Sequence, residues 1–242
     1  MTKRFLWRVF NMVIQAIVFD MDDTLYKEKD YVVSGFKAVD DWIKDNYGKI
    51  GFYNIAIRLF NSGERKFVFN KTLKKLDIDY DEKLISNLIE QYRFHKPDIQ
   101  LLDEADWVLN NLVNTVKIGL ISDGYLVAQK RKINALKLKE RVHSIILTDK
   151  LGKECWKPSK IPYEKISKEL QVPHEQCVYI GDNLSKDFIT AKKLKWLTIH
   201  ISREDGIYHN LTVKQAYKAH YTIDNLRRLS DISVLKHMFL DT

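Results

Sequence analysis

Three carboxylates and a hydroxyl, Asp20, Asp22, Asp23 and Thr24, follow directly on the apolar, β-branched start of VIQAIVFDMDDTLY (13–26). Such a run is the pattern of a strand buried on both faces of a parallel sheet, and acids at its end are unusual unless that end opens into a site. In an open α/β sheet the carboxyl ends of the strands line the ligand crevice. Two acids spaced i, i+2 in extended chain point to the same side, so Asp20 and Asp22 are expected to share one metal or one substrate. Asp23, directly after Asp22, points away from both and reads as a turn residue, and Thr24 as one that shapes or caps the turn.

Clustered carboxylates repel one another, and a hard divalent cation resolves the repulsion; Mg2+ is favoured by oxygen ligands with a phosphate co-ligand. That combination points to phosphoryl chemistry, which needs a nucleophile, an acid for the leaving oxygen and positive charge around the equatorial oxygens. Asp20 would attack phosphorus to form an aspartyl-phosphate that water then opens. Asp22 would protonate the departing alkoxide and afterwards deprotonate that water. The charge would be met by Mg2+, Lys157, the Ser122 hydroxyl and backbone N–H groups of turns such as Asp123-Gly124.

These residues need elements to hold them. From about residue 103 the chain alternates: helix ADWVLNNLVN, strand VKIGLISDGY, helix LVAQKRKINALKL, strand HSIILTD, helix IPYEKISKEL, strand QCVYIGD, helix LSKDFITAKKL, strand WLTIHIS, short strand AHYTI and a last helix NLRRLSDISVLKHM. The alternation predicts an α/β fold with a doubly wound parallel sheet. Strand ends then fall at Asp20, Ser122 and Gly181-Asp182, with Lys157 in the loop before IPYEKISKEL. Between the first strand and the second lies a block of helical periodicity, about 27–97, punctuated by Gly48, Gly51 and Asn61-Ser62-Gly63. It reads as an insertion above the acids. The expected organisation is a core of 12–26 and 98–242, a helical cap at 27–97 and a lead-in at 1–11.

The order of Asp20-Met21-Asp22-Asp23-Thr24, Ser122 in LISDG, Lys157-Pro158 and Gly181-Asp182-Asn183-Leu184-Ser185-Lys186-Asp187 resembles the four motifs of the haloacid dehalogenase (HAD) superfamily. The resemblance covers nearly the whole chain apart from the lead-in. It implies that Asp20 is nucleophile and metal ligand, and that Asp22 is the acid/base whose backbone carbonyl also meets Mg2+. It further implies that Ser122 and Lys157 hold the phosphoryl group, that Asp182 ligates the metal, and that Asp187 supports the metal site through water. The position of the insertion resembles a C1-type cap, which closes over the core. Arg93, His95 and Lys96, in RFHKP near the return to the core, read as a hinge rather than as substrate contacts. Histidines 143, 174, 200, 209, 220 and 237 have no ligand spacing and read as structural or surface residues.

The whole is expected to be a Mg2+-dependent phosphomonoesterase acting on a small soluble phosphate ester such as a sugar phosphate or nucleotide. A phosphomutase of the same superfamily or a catalytically inactive basic binding module are the alternatives. With 45% hydrophobic and 30% charged residues the 242-residue chain is an ordinary globular one, and a formal charge of +8 favours anionic partners. The basic residues are spread along the chain, so nucleic acid is not the expected partner. Two cysteines without metal-like spacing, no apolar run of roughly 18–20 residues and no signal-like leader suggest a cytoplasmic protein without a membrane span. Nothing in the chain specifies an oligomeric state.

Overall fold

The computed structural model describes residues 13–208 and 211–240. The lead-in before residue 12, and His209, lie outside them. Six strands, β1 (Ala16–Phe19), β2 (Lys117–Ser122), β3 (Ser144–Leu147), β4 (Cys177–Gly181), β5 (Leu197–Ile201) and β6 (Tyr221–Ile223), form one sheet in the order β3-β2-β1-β4-β5-β6. Every pairing is parallel. The strand order reverses between β1 and β4, and ligands of such sheets bind at this switch point, outside the carboxyl ends. Asp20 and Asp182 follow those two ends.

Period-two alternation explains why the strands read as continuous apolar runs. Ile17, Phe19, Leu120, Ile180 and Ile199 pack into one core cluster, while Ala16, Val18, Ile121 and Tyr179 pack into another on the opposite face. Helices α5 (Asp103–Asn111) and α6 (Leu126–Ala135) cover the first face; α7 (Ile161–Leu170) and α8 (Phe188–Lys193) cover the second. At Gly119 the packing is closest, because a Cβ there would lie 2.6 Å from Ile166 Cδ1 of α7. Between β1 and β2 stand four helices, α1 (Glu28–Tyr47), α2 (Phe52–Asn61), α3 (Val68–Lys75) and α4 (Glu82–Phe94). They enclose their own apolar cluster, including Phe36, Ile43, Phe52, Leu73 and Leu88. Gly48 ends α1 in the left-handed region at φ 64°, as its place in the sequence suggested.

Two elements differ from the sequence reading. The helix expected over NLRRLSDISVLKHM is instead a pair of 3-10 helices, Leu226–Asp231 and Ser233–Met238. Leu226, Leu229, Ile232, Leu235 and Met238 recur every three residues and all are buried, a spacing that fits three residues per turn better than 3.6. The helix expected from Leu184 begins only at Phe188. Asn183 Oδ1 accepts from Ser185 N and Oγ (2.9 and 2.6 Å), and Asp187 Oδ2 accepts from Asn183 N (2.9 Å). Side chains that bond the nearby backbone in this way compete with the helix. Among the described residues no helix is long and apolar enough to cross a membrane.

Candidate active site

The end of β1 is tied to β4 by Asp20 N donating to Ile180 O at 2.8 Å. After Asp20 the strand stops: Thr24 N and Leu25 N both donate to Met21 O, and Asp23 adopts φ 49°. Past Asp20 the chain is no longer extended, so strand alternation does not set how the Asp20 and Asp22 side chains stand to one another. The two carboxylates go to different partners.

Asp20, Asp182 and Asp187, all buried, offer carboxylate oxygens within 4.8 Å of one another. Lys157, buried in the loop before α7, brings its Nζ to 2.6 Å from Asp20 and 2.8 Å from Asp187, and donates to the Tyr179 hydroxyl at 2.9 Å. Burial, only partly offset by Lys157 and reinforced by Asp187, raises the Asp20 pKa to about 7. Burial and then Asp20 and Asp187 push Asp182 well above the usual range. Three hard oxygen donors held against mutual repulsion in this way fit a divalent cation such as Mg2+, with the Lys157 ammonium beside them. Gly181 is required here, because a Cβ would lie 2.4 Å from Asp187 Oδ2.

Asp22 has partners of its own. Lys132 of α6 lies 2.6 Å from Asp22 Oδ1, the Tyr26 hydroxyl donates to the same oxygen, and Gln129 Nε2 donates to Oδ2 at 2.8 Å. Burial alone would raise its pKa; Lys132, Tyr26 and Gln129 outweigh it and hold the carboxyl below its ordinary value. The Gln129 amide also reaches Ser122 Oγ at 2.7 Å and Asp123 O at 2.6 Å, fixing the end of β2. Asp123 accepts from Thr148 Oγ1, from the Lys157 backbone N–H and from Lys186 Nζ, while Gly124 takes φ 120°. Asp23 accepts from the backbone N–H groups of Glu28 and Ile207, which supports a turn role. The Thr24 hydroxyl is buried without a hydrogen-bond partner among the described residues.

A cavity of about 540 Å3 opens beside these groups, between the strand ends and the four inserted helices. Its walls include Asp22, Gly124, Gln129 and Lys132 from the sheet side and Glu28, Tyr31, Phe36, Phe69 and Tyr92 from α1, α3 and α4. Arg93 lines it as well, its guanidinium 3.4 Å from the Tyr125 ring centroid, in contrast to the hinge reading. His95 is buried with Nδ1 on Tyr92 O, and Lys96 lines a separate recess. His143 and His174 accept from Ile118 N and Trp196 Nε1, and the rings of His200 and His237 meet the carbonyls of Asp182 and Ile14, which are structural contacts.

Sequence reasoning missed Glu28, Gln129, Lys132 and Arg203. Gln129 and Lys132 carried a signal, because they stand on the same helix face as Ala128, Ile133 and Leu136, where polar residues need a partner. Glu28 and Arg203 carried none.

Residues 17–201 match the family model described as haloacid dehalogenase-like hydrolase. The chain is 28% identical over 230 residues to a glyceraldehyde 3-phosphate phosphatase of Methanocaldococcus jannaschii, covering 91% of this chain and 97% of that one. Among solved structures it is similar to a 2-haloacid dehalogenase from Pseudomonas syringae, with TM-score 0.63 and 22% identity over 92% of this chain and 98% of that one. It is also similar to a predicted phosphoglycolate phosphatase from Haemophilus somnus, with TM-score 0.65 and 14% identity over 92% and 99%.

Proposed function

The chain belongs to the haloacid dehalogenase-like hydrolases, and from that premise we propose that it is a Mg2+-dependent phosphomonoesterase acting on a small hydroxylated phosphate ester such as a triose phosphate. The observation that carries this reading is the buried group of Asp20, Asp182 and Asp187 with the Lys157 ammonium 2.6 Å from Asp20. The name of the M. jannaschii relative supports the substrate class. Residues 27–97 act as the cap that closes over the crevice, and the cavity beneath them receives the leaving group.

Asp20, Asp182 and Asp187 would hold Mg2+, which when bound supplies positive charge to the phosphoryl oxygens. An Asp20 carboxylate oxygen attacks phosphorus, forming the P–O bond of the aspartyl-phosphate as the bond to the leaving oxygen breaks. Lys157, the Ser122 hydroxyl and the N–H groups of the Asp123-Gly124 turn orient the phosphoryl group and meet its charge. Asp22, in its protonated form, gives a proton to the leaving alkoxide, then takes one from the water that opens the aspartyl-phosphate. With Lys132 paired to it, Asp22 stands ionised, ready for the second half of this cycle. For the first half that pair must open and Asp22 must take up a proton from solvent, which it then passes to the leaving alkoxide.

The test is phosphate release from glyceraldehyde 3-phosphate and a panel of sugar phosphates and nucleotides, with and without Mg2+, alongside Asp20→Asn. Turnover that needs both Mg2+ and Asp20 is the expected result. Turnover surviving in Asp20→Asn would remove the aspartyl-phosphate route.

A further inference from the structure

The loop that follows β5 belongs to the core, yet it is fastened to the acidic turn and to the helical block at once. Arg203 Nε and Nη2 donate to Asp23 O (2.7 Å) and Thr24 O (2.9 Å), and its guanidinium pairs with Glu104 at 2.6 Å. Ile207 N donates to Asp23 Oδ2 at 2.8 Å, while Asp23 Oδ1 accepts from Glu28 N at 2.8 Å. One carboxylate thus holds both this loop and the first turn of α1. Asp205 pairs with Lys27 at 2.6 Å, and Ile207 packs on the apolar cluster of the inserted helices.

These tethers place Ile207 and Tyr208 in the wall of the 540 Å3 cavity, together with Glu28. Tyr208 is 38% exposed, so its ring does not serve as core filling. Burial and then Glu28 raise the pKa of its phenol, with Asp182 and Asp22 adding to the effect against Lys186, which keeps it a proton donor beside the reacting groups. Neither the Tyr208 hydroxyl nor the Glu28 carboxyl has a hydrogen-bond partner among the described residues, although both line the cavity. Uncommitted polar groups in a wall that also carries the rings of Tyr31, Phe36, Phe69 and Tyr92 are what a hydroxylated ligand requires for its orientation.

We propose that Tyr208 is a substrate-contacting, specificity-determining residue whose hydroxyl, together with Glu28, hydrogen-bonds a hydroxyl or carbonyl of the leaving group. This rests on the phosphatase reading of the site and adds to it a core loop, outside the cap, that selects the substrate. Discrimination comes from both directions: a leaving group without such groups leaves the Tyr208 hydroxyl and the Glu28 carboxyl unpaired when the cavity closes.

The experiment compares Mg2+-loaded wild type with Tyr208→Phe on glyceraldehyde 3-phosphate and glycerol 3-phosphate, which carry such groups, and on phenyl phosphate, which does not. Tyr208→Phe should lower kcat/KM for the hydroxylated esters about five- to tenfold, mainly through KM, and change it less than about twofold for phenyl phosphate. Glu28→Leu, which removes the hydrogen-bonding group, should shift the same ratio in the same direction. Equal losses on all three esters would reduce Tyr208 to a prop for the loop and overturn the inference, as would unchanged kinetics on the hydroxylated pair. Wild type that releases no phosphate from any of them would overturn the phosphatase reading instead, and the inference with it.

Discussion

Replacing Lys157 by methionine removes an ammonium with no exposed surface that lies 2.6 Å from Asp20 and 2.8 Å from Asp187. Methionine fills similar volume, so the change isolates charge rather than packing. Two carboxylates then remain buried without that cation, and breaking a buried pair in this way costs about 3–5 kcal/mol. For a chain of this length each kcal/mol moves Tm by about 2–4 °C, so metal-free Lys157→Met should melt roughly 6–20 °C below wild type. The deficit should be larger at about pH 8 than at about pH 5, because protonating Asp20, whose pKa burial raises to about 7, removes part of the uncompensated charge. Mg2+ should restore part of the loss. Asp20→Asn/Lys157→Met should be destabilised by less than the sum of the two single variants, since each removes the other's partner. The assay is thermal unfolding followed by circular dichroism at both pH values, with EDTA and with saturating Mg2+. A Tm within about 2 °C of wild type, indifferent to pH, would refute the reasoning that Lys157 neutralises this site.

Gly181→Ala should force Asp187 out of place and weaken Mg2+ activation about 10- to 100-fold, read from the Mg2+ dependence of phosphate release; the cause is the 2.4 Å approach of a new Cβ to Asp187 Oδ2. Asp20, raised from 3.8 to about 7, binds more protons folded than unfolded. Its contribution to metal-free stability is therefore present below about pH 4 and lost as pH rises through about 7. Because bound Mg2+ requires the ionised acids, the gain in Tm on adding it should grow from about pH 5 to about pH 8, and a gain that shrinks with rising pH would contradict the assignment. Arg203→Met should cost about 3–5 kcal/mol in denaturant unfolding, since it leaves Glu104 buried without its partner and two carbonyls of the acidic turn without donors. Lys160→Ala, which opens only the exposed pair with Glu164, should cost under about 0.5 kcal/mol.

Properties that repeat locally were readable in the chain. Ile17 and Phe19 alternate with Ala16 and Val18 because both faces of β1 are covered, and that alternation is visible without knowing what covers it. Asp20, Ser122 and Asp182 stand at the ends of apolar runs, and parallel strands bring like ends together, so the composition of the crevice followed from chain order. The periodicity of the inserted block predicted helices and their Gly48 end for the same local reason. Local pattern also misled. The three-residue spacing from Leu226 to Met238 was close enough to helical to be read as one helix, and the helix-like residues after Leu184 gave no warning that Asn183 and Asp187 would bond the backbone instead.

The sequence by itself determined the α/β alternation, the family and the residue types gathered at the strand ends, because each depends on neighbours a few positions apart. Tertiary structure alone decided where Asp22 faces, since its partners Gln129 and Lys132 lie 107 and 110 residues away. It likewise decided that the Ile207 N–H, 184 residues from Asp23, would anchor a core loop against the cavity. Contacts of that separation carry no periodicity for a sequence to display; they exist only once the sheet has set the spacing between its strand ends and the helices above them.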